Sequence, residues 1–333
     1  MKKALLLFLF QLPFVAFAQM PQAEFENILA IQLGNDQQKA ISSLEAAEKK
    51  YPGTDKVYFL RGVYQYRDGD NNAAVMSQSN AIKANPKFAL GYDARAELLF
   101  MRGMYDKAIA DASRAIELEP NNVDFIVSRF RSYRANKQYK EALADAKLRI
   151  RVNPKGEYGY YDAAVVSKEA DPNYNADIFF EQAYANKDID RHIIDVLFGQ
   201  FMISQGRFDE ARQKYETALA AGDDYFGTED LHNLAITYYK TRQYDKALLY
   251  FKKVIAQIPQ NTDFRNNMAA VYEAQQNWQL LKETALANLA INSEDPWANK
   301  YYAIGLANTG QESLANEYNE KAIRLGKEQS EKY

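Results

Sequence analysis

The chain has 333 residues, of which 13% are aromatic and 26% charged, with a formal net charge of −3. Its 15 glycines and 9 prolines exclude a fibrous or low-complexity chain. The mild acidity argues against nucleic-acid binding, which depends on neutralising phosphates. Cysteine is absent, which excludes a disulfide framework, a thiolate metal site and a cysteine nucleophile.

Residues 1–18, MKKALLLFLFQLPFVAFA, have the pattern of a secretory signal peptide. Lys2 and Lys3 form a basic start, an apolar run follows, and Ala16-Phe17-Ala18 is a small-x-small cleavage site that leaves Gln19 as the new N-terminus. The apolar run is too short for an ordinary transmembrane helix, and nothing later in the sequence resembles one. Without a cysteine after the leader, lipoprotein anchoring is excluded. These features predict an exported chain of the periplasm, with secretion as the alternative. The leader's FAQ ending resembles those of Bacteroidota exports.

From Pro21 onward the sequence repeats. Pro52, Pro86, Pro120 and Pro154 stand 34 residues apart, and the stretch from Phe88 to Pro120 reads as two amphipathic helices joined at Arg102-Gly103-Met104. Numbering each unit from 1, positions 8, 20 and 27 are small where two helices must cross closely: Gly62, Ala74 and Ala81, then Ala96, Ala108 and Ala115. Gly69, Gly103, Gly206 and Gly310 fall at position 15, the turn between helices, where a left-handed backbone is often needed. Five units fill residues 21–190 in unbroken register. After slips at Arg191 and at Phe226-Gly227, four more occupy 192–225, 228–261, 262–295 and 296–329. The predicted organisation is a leader (1–18), a block of five repeats (19–190), a block of four (191–329) and a polar tail (330–333), with fraying from Gly326. The acidic stretch Gly222-Asp223-Asp224-Tyr225 lies at the joint and reads as a solvated loop.

A fixed 34-residue helix–turn–helix period resembles the tetratricopeptide repeat (TPR) family. The resemblance implies an all-α fold, an α-solenoid of about nine repeats forming a right-handed superhelix, stabilised by stacking of neighbours. The sequence departs from the family pattern in lacking tryptophan at position 4, in Phe130 and Ile28 at position 8, and in Asp171-Pro172-Asn173 within one internal turn.

The resemblance also places binding on the first helix of each unit, through positions 2, 5, 9, 12 and 13, which line a concave groove. The candidate partner-binding set is Lys56, Phe59, Tyr66, Arg67, Phe100, Arg131, Arg134, Tyr158, Tyr161 and Lys168, aromatics beside cations that suit an extended or helical peptide. In the competing arrangement, Asp93, Glu97 and Glu169 neutralise these bases and the aromatics pack between units. The family's clamp for a C-terminal carboxylate is not reproduced, because Asn266, Asn267 and Lys300 come in the wrong order.

Catalytic signals are lacking. The two histidines, His192 and His232, are 40 residues apart and read as packing or surface residues, and no HExxH, GxSxG, GxGxxG or GxxxxGK[ST] pattern occurs. The sequence therefore predicts a non-enzymatic protein-interaction scaffold without cofactor or metal. Its partner would be a protein or peptide, not nucleic acid, and it would be a subunit of an envelope assembly or secretion complex with no membrane span of its own. The alternative is recognition of polysaccharide or peptidoglycan through faces rich in the chain's 24 tyrosines.

Overall fold

A computed structural model describes residues 19–222 and 226–330. The predicted leader and Asp223, Asp224 and Tyr225 of the acidic stretch lie outside the described residues. Among those described there are helices and no strands, in agreement with the all-α expectation.

The helices follow the 34-residue period. The first four hairpins are α1 (Gln22–Leu33) with α2 (Gln37–Lys50), α3 (Asp55–Arg67) with α4 (Asn71–Ala84), α5 (Ala89–Phe100) with α6 (Tyr105–Leu118), and α7 (Val123–Ala135) with α8 (Tyr139–Val152). Next come α9 (Tyr158–Ala170) with the short α10 (Asp177–Ala185), α11 (Arg191–Ser204) with α12 (Phe208–Leu219), and α13 (Thr228–Lys240) with α14 (Tyr244–Gln257). The last are α15 (Thr262–Ala274) with α16 (Trp278–Leu289), and α17 (Pro296–Asn308) with α18 (Glu312–Ser330). Each proline of the ladder lies two residues beyond the end of a second helix, where its missing N–H costs the helix nothing. Helix α18 runs through Gly326, the predicted start of fraying, to Ser330, and residues 331–333 of the predicted tail lie outside the described residues.

The chain divides into two compact units, one comprising the described residues to 154 together with 166–172, the other 155–165 and the residues from 173 onward. In the first unit, Ala40, Ala74, Ala108 and Ala142 at position 20 have no exposed surface, and Ala47, Ala81 and Ala115 at position 27 are equally enclosed. Phe25, Phe59 and Phe88 form an edge-on triad with ring centroids 5.6–6.3 Å apart, which fills the space between the first three hairpins. In the second unit, Ala176, Ala211 and Ala247 at position 20 are also fully enclosed. Gly199 there leaves room for the buried Tyr215 ring, which would lie 3.0 Å from a Cβ at that position. Phe180 stacks on Phe198 at 4.2 Å.

Polar links recur at the same period within the first unit. Arg95 of α5 makes a bidentate pair with Asp111 of α6, at 2.7 and 2.8 Å, and reaches back to Ser79 of α4 at 3.1 Å. Arg129 of α7 repeats the arrangement with Asp145 at 2.8 and 2.6 Å and with Ser113. Each guanidinium therefore ties its own hairpin to the preceding one. The second unit reverses the polarity: Lys214 of α12 pairs with the buried Asp195 of α11 at 3.3 Å and with the Tyr184 hydroxyl at 2.9 Å. Burial and the adjacent Asp195 hold the Tyr184 proton well above the ordinary phenol range.

In seven of the nine units the inter-helix turn keeps one left-handed backbone shape whether or not the residue is glycine, while Asn35 and Asp171 at the same position do not share it. Gly69, Gly103, Gly206 and Gly310 have φ from 70° to 86°. At the same position of glycine-free units, Lys137, Arg242 and Gln276 adopt φ of 58°, 62° and 55°. An L-residue held left-handed costs about 1–2 kcal/mol. Lys137→Gly should therefore raise stability by about 1 kcal/mol, after allowing for the freer unfolded chain. A urea melt that places the variant below the parent would remove the strain assignment.

Candidate functional site

The first helices α1, α3, α5 and α7 carry the candidate site of the first unit, and each proposed residue can be located on them. Phe59 is a correction. It is only 6% exposed, as a member of the Phe25–Phe59–Phe88 triad, and offers no ring to a partner. Lys56 donates to the Met20 carbonyl at 2.9 Å and lies over the Phe25 ring. Arg67 donates to the Gln32 carbonyl at the end of α1. Lys168 donates to the Pro172 carbonyl at 2.8 Å. Tyr158 and Tyr161 belong to the second unit, Tyr158 exposed and Tyr161 half-buried.

Tyr66, Phe100, Arg131 and Arg134 remain as open groove residues of the first unit. Tyr66 is 47% exposed, and its hydroxyl approaches the Met101 sulfur at 3.7 Å. Arg131 lies over the Phe100 ring, 4.7 Å from its centroid, and pairs with Glu97 at 3.0 Å. Arg134 pairs with Glu169 at 2.6 Å. The competing arrangement thus holds for both arginines: a carboxylate one repeat away takes up each charge. These side chains are exposed enough that such pairs contribute little to stability. Their effect is to hold the guanidinium groups in place around a cleft of about 290 Å³ that also includes Phe100 and Tyr139.

A second cleft, of about 310 Å³, opens between α1, α3 and α5. Its walls are apolar: Leu33, Val63, Tyr66, Leu98 and Met101, with Gly62 and Gln78 also contributing. Leu33 and Met101 are 67% and 48% exposed. Gly62 is part of the reason the cleft exists, because a Cβ there would lie 2.4 Å from the Gln78 amide nitrogen. Sequence reasoning missed this cleft. Gly62 was legible as a small position, but the exposed Leu33 one repeat before it drew no notice.

Charge in the groove is uneven. Asp93 of α5 is largely enclosed, and its carboxyl is pushed up to about 6. Burial is the main cause, with Glu97 and Asp124 adding repulsion while Ser128 and Arg131 act in the opposite sense. Asp93 thus meets two further acids, Glu97 and Asp124, and one opposing cation, Arg131.

In the second unit, burial lowers the basicity of His232, which lies 2.8 Å from the Asn267 amide and packs on Phe264 at 4.7 Å. That is a packing environment, as the sequence indicated. Asn266, set aside as a clamp residue, is instead part of a buried network with Asn288 and the Asp295 carboxylate, at 2.8–3.2 Å. No group of three metal-ligating side chains gathers among the described residues, and none of the described helices is long and apolar enough to cross a membrane.

Paired helices mostly of 12–14 residues, a left-handed turn recurring at one position and small residues at fixed crossings define a helical-hairpin repeat protein of the α-solenoid class. Residues 89–122 and 190–259 match the tetratricopeptide repeat family, so the chain contains tetratricopeptide repeats in those segments. The first match coincides residue for residue with the third unit read from the sequence. Solved structures of similar fold include the APC/C hetero-tetramer Cut9-Hcn1, with TM-score 0.50 and 10% identity over 91% of this chain and 60% of that one. The chain therefore spans about 60% of that protein's length. A tetratricopeptide repeat protein from Parabacteroides merdae gives TM-score 0.48 and 15% identity, over 85% of this chain and 99% of that one. No curated protein sequence matches the chain.

The Asp93 environment can be tested directly. Its folded-state proton affinity is raised, so its contribution to stability is complete below the unfolded value near 4 and is lost as pH rises through 6. Asp93→Asn removes the enclosed charge. The variant should unfold with on the order of 1–2 kcal/mol more stability than the parent at pH 7.5, and the difference should vanish near pH 4. Equal stability of the two proteins at pH 7.5 would show that the carboxylate is well solvated.

Proposed function

We propose that the protein is an exported, non-enzymatic scaffold that holds a segment of a partner protein on the first-helix groove of its N-terminal repeats. Its place would be the periplasm, as a subunit of an envelope assembly or secretion complex. The observation that carries this reading is the groove itself. Tyr66 and Met101 leave apolar surface open, next to the half-buried Phe100 and beside guanidinium groups already fixed by Glu97 and Glu169. A partner would bury aromatic area against pre-positioned charges, so little side-chain freedom is lost on binding. The leader pattern of residues 1–18 supports export.

Tetratricopeptide repeats bind proteins or peptides, and the glycan alternative draws no specific support from the aromatic side chains. It requires aromatics gathered in one open groove, yet Tyr51, Tyr160, Tyr215, Tyr238, Tyr272 and Tyr301 are buried.

Two measurements test the reading. Intact mass of the exported protein should begin at Gln19, and recovery of the full-length chain in the membrane fraction would refute cleavage. Capture from envelope extract should yield a protein whose retention falls roughly thirtyfold with Tyr66→Ala and Arg134→Ala together, at an unchanged melting curve. Undiminished capture by that double variant would exclude the groove.

A further inference from the structure

The cleft between α1, α3 and α5 combines three features that together specify what could enter it. Its walls are apolar, formed by Leu33, Val63, Tyr66, Leu98 and Met101. Gln78, which lies within it, is 1% exposed and has an amide oxygen without a hydrogen-bond partner. The amide orientation is fixed, because Nε2 donates to the Phe59 carbonyl at 3.3 Å and a flipped amide would set two oxygens against each other. A buried acceptor left unpaired is costly and is seldom kept without a use. Finally, α5 carries Asp93 and Glu97 one turn apart, with Asp124 of α7 close enough to repel Asp93. Arg131 is the cation that opposes Asp93 and pairs with Glu97, and it is itself stacked on Phe100. The other nearby base, Arg67, is engaged by the Gln32 carbonyl.

This pattern is not that of a cleft for an acidic chain terminus. The apolar walls favour a large side chain, the Gln78 oxygen favours a donor at its tip, and the surrounding charge favours a cation beside it. We propose that this cleft receives an aromatic side chain bearing an N–H or O–H group, tryptophan or tyrosine, from a cationic segment of a partner protein whose neighbouring lysine or arginine lies against Asp93, Glu97 and Asp124. The inference rests on the groove reading above and specifies the chemistry of the segment that the groove holds. Tryptophan and tyrosine are common anchors in protein interfaces. Apolar burial would supply affinity, and the acids would set preference for charge and speed the encounter.

The probes are short fluorescent peptides with a central tryptophan flanked by lysines, the same peptide flanked by glutamates, and a lysine-flanked peptide with serine at the centre. Fluorescence anisotropy with the mature chain should show the tryptophan–lysine probe binding at least about tenfold more tightly than either of the others. Met101→Lys, at an exposed wall, should abolish that preference for tryptophan. Asp93→Asn with Asp124→Asn should remove the preference for lysine over glutamate and flatten the salt dependence. Both variants should keep the parental helical content, since Met101 and Asp124 are exposed and asparagine matches the shape of the enclosed Asp93.

Equal or tighter binding of the glutamate-flanked probe would overturn the proposal, as would a tryptophan preference that survives Met101→Lys. The groove reading fails separately. If a partner captured from extract is lost with Tyr66→Ala and Arg134→Ala but the lysine-flanked probes show no preference, the groove stands and the assigned chemistry is wrong. If the partner is retained by that double variant, the groove reading itself falls. A cell-wall glycan that competes with the tryptophan–lysine probe more strongly than the serine-centred peptide does would also count against a protein segment.

Discussion

The close crossing of the two helices in each hairpin is the constraint on which the other features depend. At position 20, Ala40, Ala74, Ala108, Ala142, Ala211 and Ala247 are completely enclosed, and a larger side chain at any of them would push two backbones apart. Because the helices are short and of nearly equal length, that separation would pass to the next hairpin, whose first helix packs on the preceding second helix. Where the sequence departs from alanine it compensates locally. In α16, Leu281 takes position 20, and Asn288 at position 27 turns to the Thr262 carbonyl and the Asn266 side chain. The leucine itself packs in an apolar cluster with Ala269, Tyr272, Ala285 and Tyr301, beside that polar network.

Stacking by apolar area alone would leave adjacent hairpins free to slide, since such contacts lack direction. The guanidinium ties at Arg95 and Arg129 supply direction. Each is largely enclosed and doubly bonded to an aspartate, and each reaches a serine of the preceding second helix. A buried pair of this kind adds less to net stability than its short distances suggest, because both charges had to leave water. Its stronger effect is on register, since a shifted hairpin would leave an unpaired buried charge. The Asp195–Lys214–Tyr184 set serves the same end in the second unit with the charges exchanged. The positional rule therefore concerns complementarity between the two helices and not which one carries the cation.

Much of the fold was legible because a 34-residue period leaves little freedom. The prolines and turn glycines fell just beyond helix ends, and the small positions fell where the paired helices cross. The left-handed turns at Lys137, Arg242 and Gln276 were not legible, because nothing in those side chains asks for that backbone; the stacked neighbours impose it. The site was less legible for a different reason. A family-average rule that position 5 faces the groove misplaced Phe59, whose ring finds two phenylalanines closer than it would find a partner. The acids opposite Arg131 and Arg134 could be read from the sequence as one possible arrangement, but whether they pair depends on distances only the fold supplies. The cleft beside Tyr66 required both Gly62 and the exposed Leu33 on different helices, a coincidence with no signature along the chain.

The same groove shows where stability and recognition part ways. An enclosed Asp93 with its proton affinity raised to about 6 works against the fold at neutral pH, and asparagine would fit the same space without the charge. Arg131 could offset Asp93 alone, yet it is drawn to Glu97 and to the face of Phe100. An excess of negative charge is therefore left beside the apolar cleft, where a structural role would have removed it. The Arg134–Glu169 pair farther along presents a neutralised edge. Surfaces that serve only packing tend toward local charge balance, because unbalanced charge near low-dielectric walls is penalised. Unbalanced charge next to open apolar surface gains its compensation when a segment of opposite sign arrives, and the penalty carried by the free protein becomes part of the preference for that segment.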